Sequence, residues 1–400
     1  MNIRYLNYSL IILSAIAFIS CGHKDDIINA DMTYNLSKTS QGSIDDVFCD
    51  LEVIPLYFDG DRYPKNVMNV TVSDTYIFIL DINRIFHIFS AEGKYLSNSS
   101  SKIGQGPGEY SILMGYSWNP YSKMIEILTP DRLLFYDIDF NFKKSCAIPS
   151  NTNKNLIFGQ VGDLSANEHI LLPTGISENP NRVMFYDSST EKITNESDYS
   201  KDVIAPSGFG SKFLFHDKDS VLFCPPAMTP YIYNISKNTL DSPVIEFEYG
   251  KNAITRHDVE EHNSSEEELR NFLVTCPKDI RMANFITTPK IFTLFKHGNK
   301  LSDTFVVITD RINHKSIFIN LYTNKEQSFP IIYDSDSSFV YSVIDKSSLL
   351  NSTNLILGDK KEIAEKISKI DDEDFVLLKY KVENAPRSAC VQRHKSDLKF

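Results

Sequence analysis

One unit recurs along this chain: an apolar, β-rich run, a polar turn, a second apolar run, then a polar hairpin and a more polar third run. In order it reads TYIFILDINRIFHIFSAEGKYLSN, KMIEILTPDRLLFYDIDFNFKKSC, EHILLPTGISENPNRVMFYDSSTEKIT, DSVLFCPPAMTPYIYNISKNTLDSP and DTFVVITDRINHKSIFINLYTNKEQSF. A supersecondary unit of this size cannot bury its apolar face alone and must stack on its neighbours. The starts at Tyr76, Lys123, Glu168 and Ser220 lie about 45–50 residues apart, the period of propeller blades. A β-helix uses shorter rungs, and a β-sandwich rarely repeats so evenly.

The fifth start, Thr304, follows a longer gap filled by RHDVEEHNSSEEELRNFLVTC. There Ser265 and Glu268 have the spacing of a capping box, and the acidic first turn suits a helix N-terminus, so the gap reads as an insertion. A sixth unit runs from Phe339 through FVYSVID, a helical DKKEIAEKISKI and DFVLLKYKVE. Upstream, Asp50–Phe58 (DLEVIPLYF) is a strand with no partner in its own unit. A closed ring removes its exposed edges by joining the chain ends in one sheet, so this strand is expected beside Phe375–Val382. The expected fold is all-β: a six-bladed β-propeller of four-stranded antiparallel blades over 47–400, with short helical insertions near 256–276 and 358–370.

Before the propeller lies MNIRYLNYSLIILSAIAFISC, a short polar start with Arg4, an apolar run over Leu10–Ile19, and Ser20 ahead of Cys21. The apolar run falls short of the roughly 20 residues a spanning helix needs and reads as an export signal over 1–20. Residues 21–46 then form a tether. The net charge of −11 argues against nucleic acid, whose phosphates demand a basic face. Cys49, Cys146, Cys224, Cys276 and Cys390 are widely spaced with no CxxC, which suits small buried hydrophobes rather than a disulfide frame or a zinc site.

Phe18-Ile19-Ser20-Cys21 resembles a lipobox, which makes Cys21 the lipidation site and the membrane a partner through the anchor. Lys24-Asp25-Asp26 resembles the export tag of Bacteroidetes lipoproteins of the outer leaflet. ILDINRIFHIFSAEGKYL resembles an NHL-type blade. Together with Gly104-Gln105-Gly106-Pro107-Gly108-Glu109-Tyr110 (GQGPGEY), these features resemble the six-bladed β-propeller lipoproteins of Bacteroidetes. The resemblance implies a lipid-anchored cell-envelope protein of the outer membrane, exposed at the surface if the tag is read.

GQGPGEY raises the question of a phosphate cradle. Such a loop needs a helix after the glycines and a lysine to reach the phosphates. Here Pro107 has no N–H to offer and the residues after Tyr110 read as strand, so the segment is a tight crossover between blades, with Glu109 placed to accept backbone N–H groups. With strands lettered a to d outward from the axis, b–c turns and d-to-a crossovers share one face. That face is expected to carry Asp81, Arg84, Gln105, Glu109, Tyr110, Asp131, Arg132, Arg182, Asp310 and Arg311. The arginines would either form a cationic ring for carboxylates or sulfates or pair with acids within and between blades. Tyr116 and Trp118 fall on the inner strand of the second blade, as core or as channel lining.

No catalytic constellation is recognisable. His257 and His262 are poorly spaced for one helical face, and neither HExxH nor GxSxG occurs. No cofactor motif is present, and a divalent cation at the channel mouth would need ligands from several blades. The functional expectation is a membrane-anchored binding or scaffold module for a protein, peptide or glycan. The alternative is a hydrolase or lyase with an acidic, metal-dependent funnel. Three or more carboxylates or histidines converging at the funnel would mark the enzyme; an arginine- and aromatic-lined funnel would mark the binder.

Overall fold

Strand b of the first blade, Tyr76–Asp81, is buried at every position after the first, although an antiparallel strand with one wet face would alternate. The reason is that each sheet is covered on both faces by the next. A computed structural model describes residues 30–382, apart from 37, 59–63, 65, 150–156, 174–181, 200–211, 218–219, 226–228, 263–264, 298–303, 324–325, 358–359 and 373. Six sheets, each built on four antiparallel strands, form a six-bladed β-propeller; five follow meander order and the sixth takes its outer strand from the N-terminal segment.

Blade 1 comprises Val67–Val72, Tyr76–Asp81, Phe86–Ser90 and Tyr95–Asn98. Blade 2 runs over Gly115–Asn119, Met124–Leu128, Arg132–Tyr136 and Phe142–Ala147. Blade 3 follows with Phe158–Asp163, Glu168–Pro173, Arg182–Asp187 and Lys192–Asp198. Blade 4 is Leu214–Asp217, Ser220–Phe223, Tyr231–Ser236 and Thr239–Glu248. The hydrophobic core is divided among the gaps between sheets: Phe78, Phe86, Ile127 and Tyr136 pack together between blades 1 and 2, and Leu128, Phe135, Leu171 and Tyr186 between blades 2 and 3.

In blade 5 the strand expected as b is c. Its strands are Asp279–Ile286, Lys290–His297, Thr304–Asp310 and Ser316–Asn320. The run KIFTLFKH, not DTFVVITD, is therefore strand b, and part of the long gap is two ordinary strands. The helical remainder is Arg256–Glu260 and Glu266–Thr275. Ser265 does cap the second helix, accepting the Glu268 N–H at 3.1 Å. A reciprocal box forms on the first, where the Thr255 N–H and hydroxyl both reach Asp258 Oδ2.

Blade 6 closes the ring as expected. Its a and b strands are Asp334–Ser335 and Phe339–Asp345, and Phe375–Val382 lies between the latter and Phe48–Pro55, with Leu378 opposite Val53 and Tyr380 opposite Leu51. Its b–c connection carries the helices Lys346–Asn351 and Lys360–Lys366. Inside the expected tether, Met32–Asn35 and Ser40–Gln41 add as parallel fifth strands to the outer edges of blades 4 and 5. Tyr34 and Leu36 bury there, covering two edges that would otherwise stand open.

Candidate functional site

GQGPGEY folds around its own acidic side chain. The Glu109 carboxylate accepts the Gly106 N–H at 2.9 Å, and a Cβ on Gly104 would overlap Glu109 Oε2. Gly108 alone of the three glycines has positive φ, +71°, and a Cβ there would meet the Phe142 ring at 2.5 Å. Tyr110 is buried; its hydroxyl meets Ser99 Oγ at 2.7 Å and the Arg84 carbonyl at 3.2 Å. Burial pushes its phenol up to about 12. Gln105 stays exposed. The motif fixes the path from blade 1 to blade 2.

The other expected site residues are mostly engaged within the fold. Asp81 is buried and holds its own turn, accepting the Ile85 N–H at 3.0 Å, while Arg84 is exposed at φ 63°. Arg132 pairs with Asp131 at 3.2 Å, both well exposed. Arg182 reaches Glu196 at 2.6 Å and Asp198 at 2.9 Å on strand d of its own blade. Asp310 and Arg311 are not on this face. Because Thr304–Asp310 is strand c, they lie in a c–d turn on the opposite side, where Arg311 binds Asp217 of blade 4 at 2.6 Å and the Thr287 and Thr288 carbonyls. Burial works to raise the Asp310 pKa, but the Asn313 and Ile312 N–H groups and Lys290 outweigh it and hold it below the usual carboxylate value. Cys21 and Lys24–Asp26 lie outside the described residues.

What the structure brings together instead is the axial channel. Inner strands of blades 1, 2, 3 and 4, with Tyr333 and Asp334 of blade 6, enclose a cavity of about 450 Å³, within the range of small-ligand pockets. Met68, Trp118, Phe213 and Tyr333 give it apolar walls. Trp118 sits edge-on to Tyr76 at 5.5 Å and beside Phe78 at 5.1 Å. Across the opening, Lys212 Nζ reaches Asp334 Oδ1 at 2.8 Å and the Ser335 carbonyl at 2.6 Å. Asp334 is itself held by the Val72 N–H at 2.8 Å. His216 faces the same space, its pKa lowered first by enclosure in the channel and then by the Lys212 charge.

Behind the wall, Glu126 on strand b of blade 2 meets Asp163 and His169 on strands a and b of blade 3. His169 Nδ1 lies 2.9 Å from Asp163 Oδ1 and 3.0 Å from Glu126 Oε2, and Glu126 and His169 have no exposed surface. Burial and then the Asp163 charge push the Glu126 carboxyl above the usual carboxylate range. Burial opposes protonation of His169, yet its hydrogen bonds to Asp163 and Glu126 prevail and raise its pKa. The spacing of these residues gives no motif. The available signal was a charge inside each apolar run, MIEIL and EHILLP, since a buried charge requires a partner. This convergence sits in the wall; the funnel is lined by Trp118, Phe213 and Tyr333 together with Lys212, His216, Asp74, Asp163 and Asp334, and among the described residues no arginine lines it.

The family model described as "Domain of unknown function (DUF4934)" matches residues 27–381. None of the curated proteins compared matches the chain. Among solved structures, a Bacteroides fragilis protein described as exported superposes with a TM-score of 0.69 at 15% identity, over 88% of this chain and 99% of its own. The Pan2 WD40 domain of Neurospora crassa gives a TM-score of 0.38 at 11% identity, over 80% of this chain and 76% of its own. The first of these likenesses supports the same ring of blades.

Proposed function

We propose that this chain, which belongs to the DUF4934 family, is a cell-envelope binding protein that receives a small amphipathic ligand in its axial channel. A short glycan or peptide segment matches the chemistry. The observation that carries the reading is the cavity itself, where the chain's one tryptophan, Trp118, shares a wall with Lys212, Asp334 and His216. Aromatic faces there suit the apolar side of such a ligand, and the convergent polar groups fix its orientation. The loop face offers less, because Glu109, Tyr110, Arg132 and Arg182 are already engaged within the protein. A hydrolytic role finds little support in Glu126 and His169, which have no exposed surface from which to touch a substrate. Anchoring through Cys21 to the outer membrane belongs to this proposal; it is supported by the lipobox-like Phe18-Ile19-Ser20-Cys21.

Trp118 is a built-in reporter for the test. Oligosaccharides and short peptides are titrated against the full chain while its emission is followed. The expected ligand shifts that emission, and Lys212→Ala weakens its binding by about tenfold or more, as loss of a charged hydrogen bond does. Arg84→Ala and Gln105→Ala leave its affinity unchanged. A ligand that leaves Trp118 undisturbed and depends on Arg84 or Gln105 would move recognition to the loop face and overturn the channel reading.

A further inference from the structure

The three side chains behind the channel wall are held in a way that their burial alone does not explain. Each has one polar atom turned outward to a fixed partner. Glu126 Oε1 accepts from Asn119 Nδ2 at 2.9 Å, and the same amide group donates to the Ser165 carbonyl at 2.9 Å. Asp163 Oδ2 accepts from the Ser117 hydroxyl. His169 Nε2 lies 3.0 Å from Ser188 Oγ, whose own proton points to the Asn167 carbonyl at 3.3 Å. Ser188 is therefore set to accept, which places one imidazole proton on Nε2 and turns Nδ1 toward the two carboxylates.

The remaining atoms, Glu126 Oε2, Asp163 Oδ1 and His169 Nδ1, face one another within 4.8 Å. Glu126 Oε2 is fully buried and accepts no well-aligned hydrogen bond. Among the described residues no lysine or arginine pairs with either carboxylate. With no ion bound, the Nδ1 proton of His169 is the charge these acids share; a metal ion would take its place, Nδ1 giving up that proton on binding. We propose that Glu126, Asp163 and His169 bind one first-row divalent transition-metal ion that pins blade 2 to blade 3.

The donor set fits that class. One imidazole nitrogen and two carboxylate oxygens suit zinc and its neighbours, whereas calcium and magnesium prefer all-oxygen shells. Bonds of about 2.0–2.2 Å place tetrahedral ligand atoms about 3.3–3.6 Å apart, so the two contacts of 2.9 and 3.0 Å to Nδ1 need to open by about half an ångström. Asp163 also lines the channel, which gives an ion a way in. The serine behind His169 and the asparagine behind Glu126 are the oriented outer partners that metal ligands require. The site does not depend on the identity of the channel ligand.

The test uses the full chain, stripped with a chelator, loaded with zinc or cobalt and passed through a desalting column. One zinc per chain, a higher melting temperature and the visible absorption of low-symmetry cobalt are expected. Glu126→Gln keeps the side-chain shape and gives Asp163 a donor, so it should fold in chelator yet lose both the zinc and the cobalt spectrum. Ser188→Ala should weaken zinc binding about 10- to 100-fold, as loss of an outer partner does. A stably folded wild type that retains no zinc would show that the groups merely share a proton and would overturn the proposal. Equal zinc content in Glu126→Gln would overturn it as well, by placing the metal elsewhere.

Discussion

Gly104 and Glu109 compete for one volume: the carboxylate of Glu109 lies where a side chain on residue 104 would begin. The glycine content of the crossover is thus set partly by close approach and only at Gly108 by positive φ. Gly104→Val and Gly108→Val are expected to lower stability, the second by about 1–2 kcal/mol for its backbone alone and further for the overlap with Phe142. Gln105→Ala should be neutral. Chemical denaturation of the three variants checks this, and a Gly108→Val protein as stable as wild type would remove the argument.

Two arginines that look alike in sequence should behave differently. Arg311 and Asp217 are each about 15% exposed, at 15% and 14%, and join blade 5 to blade 4. Arg311→Ala leaves a nearly buried carboxylate behind and should cost about 3–5 kcal/mol. Arg132 and Asp131 are 56% and 69% exposed, so Arg132→Ala should cost under about 1 kcal/mol. Equilibrium unfolding of both variants decides it; equal losses would contradict the assignment.

Acid should loosen the insertion between blades 4 and 5. Burial works to raise the Asp258 pKa, but Lys278 at 2.6 Å and the Thr255 cap outweigh it and bring it to about 2. The folded value lies below the unfolded one of about 3.9, so the stabilisation is present above pH 4 and is lost as pH falls from about 4 through about 2. Asp258→Asn should be less stable than wild type at pH 6, and the difference should shrink across that window. A difference independent of pH would mean that the Asp258 charge contributes nothing.

The anchor is testable without any ligand. Metabolic labelling with a clickable fatty acid should mark the wild-type protein, and Cys21→Ser should abolish the label and release the protein from the membrane fraction. Undiminished labelling of Cys21→Ser would refute lipidation at that residue.

The repeat made the blades legible because strand b, a turn and strand c are adjacent in sequence and their apolar runs are continuous. The phase of blade 5 was hidden for a related reason: Lys290–His297 and Thr304–Asp310 are both apolar runs, and no property of either says which stands nearer the axis. That one-strand slip moved Asp310 and Arg311 to the wrong face. Tyr34 and Leu36 escaped notice because their strand partners, on Thr239–Glu248, lie far along the chain and pair in parallel.

The sequence by itself determined the number of blades, the closing pair of strands and the role of GQGPGEY, all of which follow from local pattern and the need to remove sheet edges. Only the tertiary structure decided which polar groups meet. Lys212 finds Asp334, and Glu126 finds Asp163 and His169, because neighbouring or facing blades bring together side chains whose chain separation carries no periodic signal. Coulombic and hydrogen-bond partners are chosen by distance in space, and in a ring that distance is set by blade order and strand depth together.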